Sequence, residues 1–201
     1  MVKADCGGCN GCSRCCHGMG NSIILDPYDV YRMTTGMGKS MQELLAASVE
    51  LNVVDGVILP NLKMQGAEEA CAYLDGEGRC SIHPYRPGIC RLFPLGRYYE
   101  NGGFSYFLQI GECAKENRSK IKVSKWIDTP DLTRNQQFTL QWHDLLHAME
   151  ERLTGEDEGK QREENLLLLR LFYLLPYEGT IDFYTQFTER MEHWNGQNGQ
   201  I

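Results

Sequence analysis

A short N-terminal segment carries five of the chain's nine cysteines and almost no residues that form a hydrophobic core. The segment reads DCGGCNGCSRCCHGMGN over residues 5–21. Its cysteines are Cys6, Cys9, Cys12, Cys15 and Cys16. Because the segment has too little apolar surface to fold by burial, something else must order it. Thiolates are strong metal ligands, so the cluster predicts a metal site.

The rest of the sequence favours thiols over disulfides. The first residues, MVKADCGGC, contain no apolar run and therefore no secretory signal. The longest apolar stretch, LLLLRLFYLL, is interrupted by Arg170, and a membrane helix needs about 20 residues. We expect a protein of the reducing cytoplasm with no membrane partner. In that compartment clustered cysteines are more often metal ligands than disulfides.

Size and charge exclude other classes. With 201 residues, of which 42% are hydrophobic and 23% charged, the chain can form one globular domain of ordinary size. Its formal net charge is -7, with 20 basic against 27 acidic residues. A protein that binds the nucleic-acid backbone needs a positive field, so the charge argues against such a partner.

The chain changes character near residue 125. Residues 1–125 hold all nine cysteines and five of the seven prolines, whereas residues 126–201 hold no cysteine and show helical periodicity. We predict a compact α+β fold. Its cysteine-rich metal-binding region, 1–125, contains short hairpins, and a helical C-terminal extension, 126–201, packs on it to give one structural domain.

Local signals predict the individual elements. Asp26-Pro27, and Ser40 followed by Glu43, are typical helix starts. Turn residues predict three hairpins, around Pro60-Asn61, around residues 75–78 and around residues 100–103. Helices are predicted over residues 133–153, 161–175 and 180–194.

The spacing of the first cysteines fits more than one kind of centre. The bacterial ferredoxin run C-x2-C-x2-C-x3-C-P is matched at its four cysteine positions by Cys6, Cys9, Cys12 and Cys16. His17 stands where that run has proline, and Cys15 is an added thiol. Four thiolates suit either Zn²⁺ or an iron–sulfur cluster, so spacing alone leaves the metal and the grouping open.

The downstream cysteines carry a resemblance to a known family. The string CAYLDGEGRCSIHPYRPGICRLFPLG follows at residues 71–96, and Cys113 stands beyond it. Over roughly residues 5–115 the chain resembles the CxxCxxCC family of zinc- or iron-chelating domains, also called YkgJ-like cysteine cluster proteins. The resemblance implies metal binding through eight cysteines: Cys9, Cys12, Cys15, Cys16, Cys71, Cys80, Cys90 and Cys113.

Residues beside these cysteines are further candidates. The resemblance leaves Cys6 as an extra thiol, although the ferredoxin-like grouping would use it. His17 and His83 stand close to cysteines and are candidates for an additional ligand. Four thiolates around Zn²⁺ or a four-iron core leave a formal charge of roughly -2. Nearby arginines would offset that charge and donate hydrogen bonds to sulfur, unless they pair with carboxylates. They are Arg79, Arg86 and Arg91.

Three functions follow from these observations. The first is an iron–sulfur protein, with a [4Fe–4S] cluster or iron, that transfers electrons or supports a redox partner protein. The second is a protein-interaction module held together by zinc in four-thiolate sites. The third is an S-adenosylmethionine-dependent protein lysine N-methylase, which only the resemblance to longer relatives implies. Because the second group of cysteines is spread singly over several loops, we favour a larger cluster and hence iron.

Two histidines outside the cysteine region also have ligand-like spacing. His143 and His147 stand four residues apart on a predicted helix, where both could reach one metal. The amphipathic pattern of that helix gives the simpler interpretation, in which the two histidines are incidental.

Overall fold

The computed structural model describes residues 1–5, 7, 12–115 and 117–198. The predicted mixed fold is confirmed, with short antiparallel strands in the first half and mainly helices in the second. The helices are α1 (Pro27–Met37), α2 (Met41–Ala47), α3 (Gly88–Leu92), α4 (Val123–Ile127), α5 (Leu132–Leu153), α6 (Glu158–Leu169) and α7 (Phe183–Asn198). The strands are β1 (Val2–Asp5), β2 (Val49–Val54), β3 (Val57–Leu62), β4 (Met64–Gln65), β5 (Ala70–Cys71), β6 (Leu95–Glu100), β7 (Gly103–Leu108) and β8 (Ser119–Ile121). Two 3₁₀ turns, Arg14–Cys16 and His83–Tyr85, carry or flank cysteines.

The strands form separate two-stranded ladders. Within the described residues β1 pairs with β8, β2 with β3, β4 with β5, and β6 with β7, all antiparallel. The predicted turn at Pro60-Asn61 was wrong. The β2–β3 turn lies at Asp55-Gly56, where both residues have the positive φ that a tight two-residue turn requires. Pro60 and Asn61 instead lie within β3.

Of the other two predicted hairpins, one has a continuous ladder of paired residues and the other does not. The turn at residues 100–103 is confirmed, and its strands extend over the whole of β6 and β7. At residues 75–78 the chain also turns, but its flanks share a single bridge, Leu74 to Cys80. The reason is local, because the Asp75 carboxylate accepts hydrogen bonds from the amides of Glu77 and Arg79 at 2.9 Å each. The side chain thus closes a tight loop that presents Cys80.

The predicted helix starts are confirmed. Asp26 accepts a hydrogen bond from the Asp29 amide at 2.8 Å, and the Asp29 carboxylate accepts one from the Asp26 amide at 3.2 Å. Ser40 and Glu43 form the same reciprocal pair at the start of α2. In the second half α5 covers the predicted range, and α6 continues through a π-helical turn, Arg170–Leu174. α7 begins later than predicted, at Phe183.

One hydrophobic core joins both halves of the chain. The ring of Phe138 on α5 packs against Tyr28 of α1 and Phe183 of α7, at centroid distances of 6.3 and 5.1 Å. Trp142, one turn further along α5, is buried against Phe172. The helical extension therefore shares its core with the cysteine-rich half. No helix in the described part of the chain is long and apolar enough to cross a membrane.

Candidate metal centre

Five cysteines from separate segments line one cavity of about 670 Å³. Cys15 and Cys16 lie in the first 3₁₀ turn, Cys71 ends β5, Cys80 follows the tight loop and Cys90 lies in α3. All five are half-buried, and the described cysteines form no disulfide among themselves. The fold thus brings thiols that are far apart in sequence to the wall of one space.

These thiols lie close enough to change one another's acidity. The Cys16 thiol donates a hydrogen bond to the Cys15 sulfur, which with the nearby Arg86 charge lowers the pKa of Cys15 to about 6 despite its burial. Losing that hydrogen bond on ionisation, together with burial, raises the pKa of Cys16. Burial, followed by repulsion from neighbouring thiolates, raises the pKa of Cys71. Burial, followed by repulsion from the Asp29 carboxylate and then from neighbouring thiolates, raises the pKa of Cys90. A bound cation would reverse these penalties, because a metal favours the thiolate form of every ligand.

Only one of the three candidate arginines is among the described residues that line this cavity. Arg86 lies in the wall and helps to lower the pKa of Cys15. Arg91 is buried but directed elsewhere, with Nη1 donating to Thr129 Oγ1 at 2.7 Å and Nη2 lying 3.9 Å from Asp29 Oδ1. Arg79 is exposed. Arg91 therefore lies beside a carboxylate, which is the second of the two roles considered for these arginines.

The other candidate ligands are placed less centrally or lie outside the described residues. Cys12 and Cys113 are half-buried but do not belong to the described cavity lining. The His17 ring lies 3.3 Å from the carbonyl oxygen of Glu68, and His83 is exposed. Cys6 and Cys9 lie outside the described residues. Among the described residues no group of three or more histidine, cysteine or acidic side chains is arranged to hold a metal ion.

Helix α1 positions the segment between Cys80 and Cys90, which sequence reasoning missed. The Arg32 guanidinium donates to the carbonyl oxygen of Pro84. One turn later, the ring of Tyr85 lies against Gly36, where an added Cβ would stand 2.4 Å from ring carbons. Only glycine permits this approach, so the helix and the segment can pack directly. Both residues lie on one face of α1, together with Asp29.

Two carboxyl groups from the start of α1, the half-buried Asp26 and the buried Asp29, also line the cavity. Burial raises the pKa of Asp26. Burial and the neighbouring Asp26 charge raise the pKa of Asp29 to about 7, against the opposing effect of Arg91. Near neutral pH the pair therefore adds less negative charge beside the cysteines than two ordinary carboxylates would.

A further part of the wall comes from the β6–β7 hairpin and from α5. Arg97, Tyr99 and Phe107 belong to the hairpin, and Trp142 and His143 to the helix. The His143 ring stacks on Tyr99, with centroids 3.8 Å apart and planes 12° apart. Its other ring contact, with His147, is edge-on at 6.4 Å. His143 is thus an aromatic part of the cavity wall, a role that its spacing from His147 did not indicate.

The comparisons with known proteins address the cysteine-bearing half. A family model, CxxCxxCC, described as "Putative zinc- or iron-chelating domain", matches residues 8–120. The matched range contains every cysteine that lines the cavity and ends before α4. The curated proteins and the solved structures that were compared gave no match.

Proposed function

We propose that this chain, which belongs to the CxxCxxCC family of metal-chelating domains, binds an iron–sulfur cluster of the four-iron class in the cysteine-lined cavity. The cluster would serve in electron transfer or in support of a redox partner protein. One observation carries the proposal: five cysteines from separate segments line a single cavity of about 670 Å³. The membership itself supports zinc or iron, and the choice of an iron–sulfur cluster is the proposal.

The number and spread of the sulfurs support a cluster over a single ion. Zinc in a structural site draws four ligands to within about 2.3 Å of one point, usually from paired CxxC loops. Here Cys71, Cys80 and Cys90 each come singly from a different element, and the adjacent Cys15 and Cys16 complete the lining. A cluster extends over several atoms and can reach thiolates that stand around a wide space.

The chain's own residues suit such a group in charge and in solvent access. A bound cluster takes up and releases one electron, at a potential set by its charge, its hydrogen bonds and its exposure. Arg86 supplies a positive charge next to Cys15 and Cys80. Leu62 and Trp142, both buried, form apolar wall that limits water around the sulfurs.

The proposal is tested by spectroscopy on protein purified without oxygen. We expect broad visible absorption that bleaches on reduction, with a paramagnetic signal appearing in the reduced sample. Cys80→Ser should lose most of this absorption because it removes a thiol from the cavity wall. Arg79→Gln is the control, since it changes an exposed neighbour outside the described lining. A colourless wild-type protein that contains zinc would refute the iron–sulfur assignment.

A further inference from the structure

Part of the cavity wall comes from residues that carry no thiol. This aromatic wall is defined by four residues of β6 and α5: Arg97, Tyr99, Trp142 and His143. Apart from the arginine it is mainly aromatic. A cavity of about 670 Å³ with an apolar lining and a few polar groups has the size and character of a site for a small organic molecule.

The exposed residues of the lining mark where the cavity opens to solvent. They are Ile89 and Phe107, which are 39% and 46% exposed, together with the polar residues Ser22 and Glu112. The ring of Phe107 lies across Gly96, where an added Cβ would stand 2.5 Å from it. The apolar side chains at this opening, next to an aromatic wall, favour a ligand with a flat hydrocarbon body.

The polar group of this wall indicates the ligand's charge. Arg97 forms no ion pair with any described carboxylate, and its Nε has no hydrogen-bond partner among the described residues. Its side chain bonds to the Tyr99 hydroxyl and lies near Asp26. Burial raises the pKa of Asp26, which weakens that carboxyl as a counter-charge. A half-buried guanidinium in an apolar wall is best matched by a carboxylate, which it can bind through two hydrogen bonds.

We propose that the aromatic wall binds a small aromatic carboxylate, with its carboxylate on Arg97 and its ring against the aromatic side chains. The ligand would enter between Ile89 and Phe107. This inference concerns residues other than the cysteines and does not depend on which metal the protein holds.

The test uses 2-naphthoate as the probe and 2-naphthamide as its uncharged match, titrated calorimetrically into the metal-containing protein. We expect naphthoate to bind about tenfold or more tightly than naphthamide, because only the acid forms a charged pair with Arg97. Arg97→Met should lower naphthoate affinity by about tenfold and leave naphthamide within about twofold. Arg79→Met, which changes an exposed arginine outside the described lining, should change neither affinity. Equal binding of the two probes, or an unchanged naphthoate affinity in Arg97→Met, would overturn the proposal.

A second variant keeps the test decisive if Arg97→Met does not fold. Phe107→Ala removes a partly exposed ring at the opening and should weaken both probes together, whereas unchanged binding of both would place them elsewhere. The metal content of each sample is measured alongside. If metal-loaded protein does not bind naphthoate, the proposed ligand site at the aromatic wall is refuted and the cluster proposal is unaffected. If the protein contains no iron, the cluster proposal is refuted and the ligand site is unaffected.

Discussion

The Asp29 carboxylate accepts a hydrogen bond from the backbone amide of Gly88 at 2.6 Å, and this bond ties the start of α1 to the helix that carries Cys90. Asp29 is 2% exposed, and Arg91 lies 3.9 Å from the same carboxylate oxygen. A buried acid from outside the cysteine-bearing segments thus helps to place one of the thiols.

The first prediction concerns pH. Folding raises the Asp29 pKa from its ordinary value of 3.8 to about 7. The protonated form therefore stabilises the fold fully below the ordinary pKa, and that contribution is lost as the pH rises through about 7. We expect the unfolding free energy of Asp29→Asn to fall less steeply than that of wild type between about pH 5 and pH 7.5. Denaturant titrations at matched metal content measure this difference, and parallel pH profiles would contradict it.

The second prediction concerns the contact between α1 and the loop before Cys90. Gly36→Ala places a methyl group where the Tyr85 ring lies, so ring and helix must separate. We expect a loss of about 1–3 kcal/mol in unfolding free energy, as for other overpacked contacts. Gly76→Ala is the control, because an added Cβ there meets nothing within 4 Å and its φ is not positive. Equal stability of the two variants would show that the contact does not constrain the loop.

The third prediction concerns the ligand set. Cys90→Ser should remove most of the bound metal and lower the melting temperature, since Cys90 lines the cavity. Cys6→Ser should change neither, because the family pattern leaves Cys6 as the extra thiol. Metal analysis and thermal melts of the two variants measure both effects. Full metal retention in Cys90→Ser would remove that residue from the site, and full metal loss in Cys6→Ser would favour the ferredoxin-like grouping.

The fourth prediction concerns charge beside the cluster. Arg86→Gln removes the positive charge that acts on Cys15 and Cys80. The reduced, more negative cluster then loses stabilisation, so the reduction potential should fall by an amount on the order of tens of millivolts. Arg79→Gln is the matched control, since Arg79 is exposed. A redox titration in which both variants keep the wild-type potential would be inconsistent with a role for Arg86.

The part of the fold that could be predicted from the sequence depends on interactions between residues close together in the chain. The starts of α1 at Asp26 and of α2 at Ser40 form as predicted. The reciprocal cap predicted for Ser40 and Glu43 forms, and the structure adds a second one between Asp26 and Asp29. The predicted turn at Pro60-Asn61 was wrong because both residues continue strand β3. The positive φ of Asp55 and Gly56 is what turns the chain between β2 and β3.

The candidate site was harder to predict because its side chains are positioned by contacts between residues that are far apart in the sequence. Nothing near Gly36 in the sequence indicates that the Tyr85 ring will lie on it. The position of Arg91 next to Cys90 left open whether it would donate to sulfur or pair with a carboxylate, and only the fold places its side chain at Asp29 and Thr129. The spacing of His143 likewise carried no sign of its stacking on Tyr99.

The most direct test of the central claim is the content of iron, zinc and acid-labile sulfide in protein purified without oxygen. If the cysteine-lined cavity holds a four-iron cluster, iron and sulfide will be present in equal amounts, at about four of each per chain for every cluster bound. Zinc without sulfide, in protein that is folded and stable, would contradict the claim and leave the cysteines as ligands of a structural ion.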